Sequence, residues 1–200
     1  MRDSVLREQK DKLMLPVAEQ LFSAIHPNVL SFIALGIGLL SAAAIWQQAY
    51  WAGLGFWILN RVIDGLDGLV ARVHHKQSDF GGFLDLLLDF VIYLAIPLAL
   101  TAANPAALNM WACLVLLSSY IINLLSWTTL SALLEKHKLQ TSGRLTSIEM
   151  PTGLVEGAET IAFYTLFLLL PTYLAPLFLI MAALVFFTAS QRIWWAYHNL

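Results

Sequence analysis

"DGLDGLVARVHHKQSDFGGFLDLLLD", residues 64–89, puts five aspartates into an otherwise oily chain. Asp64 and Asp67 are three residues apart, and Asp85 and Asp89 are four apart, so each pair shares one face of a helix. The polar run between the pairs reads as a turn over 73–80. At about 1.5 Å per residue, Asp89 lies roughly 12 Å into its helix from Gly81, and Asp64 lies at a similar depth before Val73. Two antiparallel helices joined by this turn therefore bring four carboxylates to one level.

The surroundings of the stretch set the fold class. Hydrophobic residues make up 59% of the 200, and charged residues 12%. An ordinary soluble domain carries about 25% charged residues. Six apolar blocks approach the roughly 20 residues of a spanning helix: 29–47, 51–73, 81–103, 108–134, 151–170 and 173–195. The expected fold is all-α, a polytopic membrane protein of six transmembrane helices. Residues 1–27 form an N-terminal interfacial amphipathic helix, and 28–200 form one six-helix membrane domain. The charged start of the chain does not read as a cleavable signal peptide.

The connections near 47–50, 103–109 and 170–176 hold no charge, whereas the N-terminal arm, the 73–80 loop, the 135–150 loop and the C-terminus hold Lys and Arg. By the positive-inside rule both termini, both charged loops and the aspartates face the cytoplasm. Trp46, Tyr50, Trp51, Trp194, Trp195 and Tyr197 fall near block ends, as interfacial aromatics do. Pro27 suits a first helical turn, and the single Cys113 reads as a small core residue. The net charge of -2 says little, because the charges are unevenly placed, and no nucleic-acid partner is expected.

A charge inside a membrane segment costs at least about 2.5–3.5 kcal/mol. Four clustered carboxylates also repel one another, and divalent cations relieve that repulsion. All-oxygen ligands suit Mg²⁺, Mn²⁺ or Ca²⁺ rather than zinc. Small residues at 65, 68, 71, 81 and 82 leave room for a ligand or for close helix contact.

Asp64, Asp67, Gly68, Ala71, Arg72, Gly81, Asp85 and Asp89 follow D-x2-D-G-x2-A-R-x8-G-x3-D-x3-D with every spacing kept. This resembles the signature of the CDP-alcohol phosphotransferase family, whose six spans and short chain are also similar. The resemblance implies transfer of a phosphatidyl or related group from a CDP-linked donor, such as CDP-diacylglycerol or another CDP-alcohol, to the hydroxyl of a small alcohol acceptor. CMP leaves. It implies two divalent ions, Mg²⁺ or Mn²⁺, among the aspartates, and a homodimer in the bilayer. Asp64, Asp67 and Asp85 become metal ligands by that resemblance, and Asp89 a ligand or the catalytic base. Gly68, Ala71, Arg72, Gly81 and, through "HPN", Asn28 become donor-binding residues.

Outside the motif the residues leave alternatives open. Arg61 either pairs with an aspartate or contacts a donor phosphate. Asp79 reads as a solvated or capping acid in the turn, and His74, His75 and Lys76 as an anchoring patch for anionic headgroups. Glu156 and Glu159 either complement a helix N-terminus or line the acceptor side of the cleft. Arg144 and Arg192 are candidates for an acceptor phosphate, against plain interfacial charges. An intramembrane divalent-cation transporter and an Asp-rich prenyltransferase are the rival functions. The first needs acids in both halves of the bilayer, and the second needs two separated Asp-rich motifs.

Overall fold

The computed structural model describes residues 26–140 and 153–200 together with Leu15, the side chains of 137–140 excepted. The expected N-terminal helix over 1–27 lies outside the described residues but for Leu15, His26 and Pro27. Among the described residues the chain is all-helical: α1 Pro27–Trp46, α2 Tyr50–Val73, α3 Asp79–Ala103, α4 Ala107–Gln140, α5 Gly157–Leu169 and α6 Leu174–Asn199, with a 3-10 turn at Pro171–Tyr173.

Among the described residues, four helical stretches are long and apolar enough to cross a membrane: Pro27–Trp46, Asp79–Ala103, Ala107–Lys136 and Pro171–Asn199. The chain is accordingly an integral membrane protein. The two remaining helices differ from the expected spans for separate reasons. α2 has the length but carries Arg61, Asp64, Asp67 and Arg72. α5 has only 13 residues, about 20 Å of helix. It starts at Gly157 rather than 151, because residues 153–156 form a lead-in turn in which the Glu156 carboxylate accepts the Gly153 N–H at 2.9 Å.

Helix ends follow local chemistry. Pro27 occupies the first turn of α1, as expected, and the His26 ring accepts the Asn28 N–H at 3.3 Å. α3 is capped by Ser78, not Asp79. Ser78 has extended backbone, and its hydroxyl accepts the Gly81 N–H at 3.0 Å. Asp79 enters the first turn instead, where an acid suits the helix dipole.

The chain forms two compact units. The first holds the described residues up to Ala106 together with Tyr164–Tyr173. Within it α1 lies against both α2 and α3. Its buried face, Leu30, Ser31, Ala34, Gly38, Ser41 and Ile45, is mostly small, which lets helix backbones approach. Gly38 is the tightest point: a Cβ there would sit 2.5 Å from Ile92 Cδ1 and 3.0 Å from Asn60 Nδ2. Gly38→Val is expected to destabilise the fold by about 1–3 kcal/mol through overpacking. Gly36→Ala is the control, since nothing lies within 4 Å of its added carbon. Thermal melts in detergent check the pair; equal midpoints would refute the close contact.

In the second unit, the described parts of Ala107–Phe163 with Leu174–Leu200, α4 lies against α6. Ala112, Cys113, Leu116, Phe178, Met181 and Val185 form its core, so Cys113 is the small buried residue expected. Four of the six aromatics near helix ends face outward, Trp46, Trp51, Trp194 and Tyr197, each at least 66% exposed, while Tyr50 and Trp195 are half-buried. That exposure fits rings seated at a lipid–water boundary.

Candidate active site

The α2–α3 pair forms as its spacing predicts, with Val73 closing α2 and Asp79 opening α3. Carboxylate oxygens of Asp64, Asp67 and Asp85 lie within 4.8 Å of one another. Asp67 is buried, and its Oδ2 accepts the Ser31 hydroxyl of α1 at 2.6 Å. The site thus draws on three helices rather than the two read from the motif. Three convergent carboxylates, one of them oriented by a hydroxyl, are a donor set that can hold a hard divalent ion.

Asp89 is engaged differently. Arg61 NH2 donates to its Oδ1 at 2.8 Å, and Arg61 NH1 lies 3.5 Å from Asp64 Oδ2. The open question about Arg61 resolves toward the aspartates. Its guanidinium carbon stands 4.8 Å from the Trp57 ring centre and 5.4 Å from that of Tyr93. Its Nε donates to Asn60 Oδ1 at 2.8 Å, and NH1 donates to the Tyr93 hydroxyl at 3.2 Å.

A cavity of about 170 Å³ opens beside the trio. All five sequence-derived donor residues line it: Asn28, Gly68, Ala71, Arg72 and Gly81, along with Asp67 and Asp85. The glycines stand where space is short. A Cβ on Gly81 would meet Ser78 Oγ at 3.0 Å and Asn28 Oδ1 at 3.3 Å, and one on Gly68 would meet Arg72 NH1 at 3.3 Å. Sequence reasoning missed Ser31, Lys76, Gln77 and Ser78, which also line the cavity. Lys76, expected in a headgroup patch, also contributes to this wall. The signal for Ser78 was present, a serine just before a helix start. No local signal marked Ser31, since its partner lies 36 residues away.

The acceptor candidates belong to the second unit or fall outside the description. Arg144 lies outside the described residues. Glu156 and Glu159 make two successive N-terminal hydrogen bonds: the Glu156 carboxylate accepts the Gly153 N–H at 2.9 Å, and the Glu159 carboxylate accepts the Glu156 N–H at 3.2 Å. Arg192 NH1 donates to Asn123 Oδ1 at 2.5 Å, while its buried Nε has no hydrogen-bond partner among the described residues.

Comparison with known proteins converges on one family. A family model described as CDP-alcohol phosphatidyltransferase matches residues 24–196. The chain is 36% identical over 180 residues to the inner membrane protein YnjF of Escherichia coli, covering 88% of this chain and 85% of that protein. It is 37% identical over 81 residues, 39% of each chain, to a phosphatidylinositol phosphate synthase of Cutibacterium acnes. Its fold is similar to the crystal structure of Mycobacterium tuberculosis phosphatidylinositol phosphate synthase with CDP-DAG bound. That match has a TM-score of 0.70 and 19% identity, over 91% of this chain and 92% of the other.

Proposed function

The chain belongs to the CDP-alcohol phosphatidyltransferase family, and on that premise we propose that it transfers a phosphatidyl group from CDP-diacylglycerol to a small phosphorylated alcohol, releasing CMP. It is a transferase of substituted phosphate groups in phospholipid synthesis, acting on a CDP-linked donor. The observation that carries the finer reading is the meeting of the Asp64–Asp67–Asp85 trio with a cavity lined by Asn28, Gly68, Ala71, Arg72 and Gly81.

In this reading Asp64, Asp67 and Asp85 hold divalent cation, Mg²⁺ or Mn²⁺, with Asp89 available to a second ion or to the acceptor. The bound ions supply charge stabilisation for the diphosphate and for the departing CMP. Arg72 and Lys76 meet the donor's phosphates, and the bare backbone at Gly68 and Gly81 admits the cytidine. Asp89 accepts the proton of the attacking hydroxyl. A P–O bond to the acceptor forms as the P–O bond to CMP breaks, and CMP keeps the electron pair. Positioning and electrostatics supply most of the acceleration in such transfers.

Arg192, whose buried Nε has no hydrogen-bond partner among the described residues, favours an anionic acceptor, such as glycerol 3-phosphate or inositol phosphate, over serine. Arg144 and Glu156 are its proposed companions. Six crossings, with α2 and α5 completing the four apolar spans, place both termini and the aspartates on the cytoplasmic face. The functional form is a homodimer.

Purified protein incubated with CDP-diacylglycerol, Mn²⁺ and a panel of alcohols is expected to release CMP with phosphorylated alcohols. EDTA should abolish release, and excess Mn²⁺ should restore it. Release that survives EDTA would remove the ion from the reading. No release with any alcohol would remove the donor assignment.

A further inference from the structure

We propose that Arg61 is a positioning residue, which holds Asp89 by one oxygen and so leaves the other to face the acceptor hydroxyl. The proposal deepens the activity proposed above and rests on it for Asp89's role. Arg61 stands outside the eight-residue signature, three positions ahead of Asp64.

The seat of Arg61 is built from several elements of the first unit. Trp57 lies one turn earlier on α2, fully buried, and covers one side of the guanidinium. Trp57 is itself stacked on Tyr164 of α5 at 5.1 Å, and its indole N–H donates to Thr165 Oγ1 at 3.3 Å. Tyr93 approaches from α3, one turn beyond Asp89. The Tyr164 hydroxyl donates to the Tyr93 carbonyl at 2.6 Å, which fixes that segment of α3. Asn60 accepts from Arg61 Nε and spends its own amide on the Ala34 carbonyl of α1 at 2.7 Å.

Charge neutralisation alone does not require this seat. A lysine at 61 would supply the same charge, but not a planar group that sits between rings while aiming separate N–H bonds. The planar fork faces two carboxylates on different helices, with the short bond to Asp89 and the longer contact to Asp64. Asp89 Oδ1 is thereby committed to the guanidinium. Its Oδ2 is the oxygen left to face a hydroxyl. Arg61 acts through Asp89 and meets neither donor nor acceptor.

The experiment uses the full chain in detergent, with Arg61→Gln, Arg61→Lys, Asp89→Asn and the double variant Arg61→Gln/Asp89→Asn. Mn²⁺ affinity is read by electron paramagnetic resonance without donor, and kcat and donor KM by CMP release. Arg61→Gln is expected to lower kcat about 100-fold, the scale of losing a well-placed proton acceptor. Donor KM should change less than about threefold, well short of one tenfold energy step. Mn²⁺ affinity should hold or rise, because a neighbouring positive charge is gone. Arg61→Lys should recover less than tenfold of the loss, lacking the fork. The double variant should be no slower than Asp89→Asn alone, since the two residues act as one unit. Full activity in Arg61→Gln, a fall in Mn²⁺ affinity that parallels kcat, or additive losses in the double variant would each overturn the proposal. A wild-type protein that releases no CMP overturns the activity reading separately. The Mn²⁺ titration then still decides Arg61: lowered affinity in Arg61→Gln places it within the cation site and ends the proposal.

Discussion

Asp67→Asn is expected to remove activity by roughly 1,000-fold or more, the several kcal/mol that a bound ion contributes to charge stabilisation. Asp67 is the one buried member of the trio, and its Oδ2 already holds the Ser31 hydroxyl. An asparagine keeps the size and can still accept that hydrogen bond through its amide oxygen. It removes one of three carboxylates whose oxygens lie within 4.8 Å of one another. Mn²⁺ affinity should therefore drop with activity, by more than about 100-fold, beyond what loss of a supporting contact alone produces. The metal-free protein should melt no lower than wild type, because one repulsive charge has gone from a partly buried cluster. A lowered metal-free melting point would mean that Asp67 serves the fold, and unchanged Mn²⁺ affinity would sink its assignment as a ligand.

Asp89→Asn should separate the two halves of the site. kcat is expected to fall by about 10²–10⁴, the usual span for a positioned proton acceptor. Mn²⁺ binding by the trio should persist, since Asp89 Oδ1 is committed to Arg61 at 2.8 Å. Donor KM should change little, because Asp89 does not line the cavity of Asn28, Arg72 and Gly81. Retained kcat would end its role as base. Lost Mn²⁺ binding would return it to the ligand set. Together the two variants predict opposite Mn²⁺ results for comparable losses of activity.

Much of this arrangement was legible in the sequence because its spacing is helical and local. Three- and four-residue steps fix which aspartates share a face, and the polar run at 73–80 fixes where the chain reverses. The five residues expected to bind the donor line one cavity for the same reason: their positions on α1, α2 and α3 all fall at one end of antiparallel helices. What escaped depends on rotation of one helix against another. Arg61 could be placed beside Asp64 by counting, but its shorter bond crosses to Asp89 on α3. The Trp57–Tyr164 stack joins residues more than a hundred positions apart, and no periodicity announces it. α5 failed as a long span because its hydropathy begins before its helix does, with Gly153–Glu156 held in a turn. Glu156 finds its partner Gly153 three residues away, within reach of local reading, whereas Arg192 and Asn123 meet only through tertiary contact.

The cavity lies at the start of α1, the end of α2 and the start of α3, where two apolar spans give way to a polar turn. A donor with two acyl chains need not leave its leaflet to reach such a place; only its headgroup has to turn inward. Encounter then happens in two dimensions, and bulk concentration is the wrong variable for it. Diluting the donor with inert lipid at constant total donor should slow turnover, whereas adding more vesicles of fixed composition should not. The expected result is a turnover that follows the composition of the surrounding leaflet rather than the bulk concentration of donor.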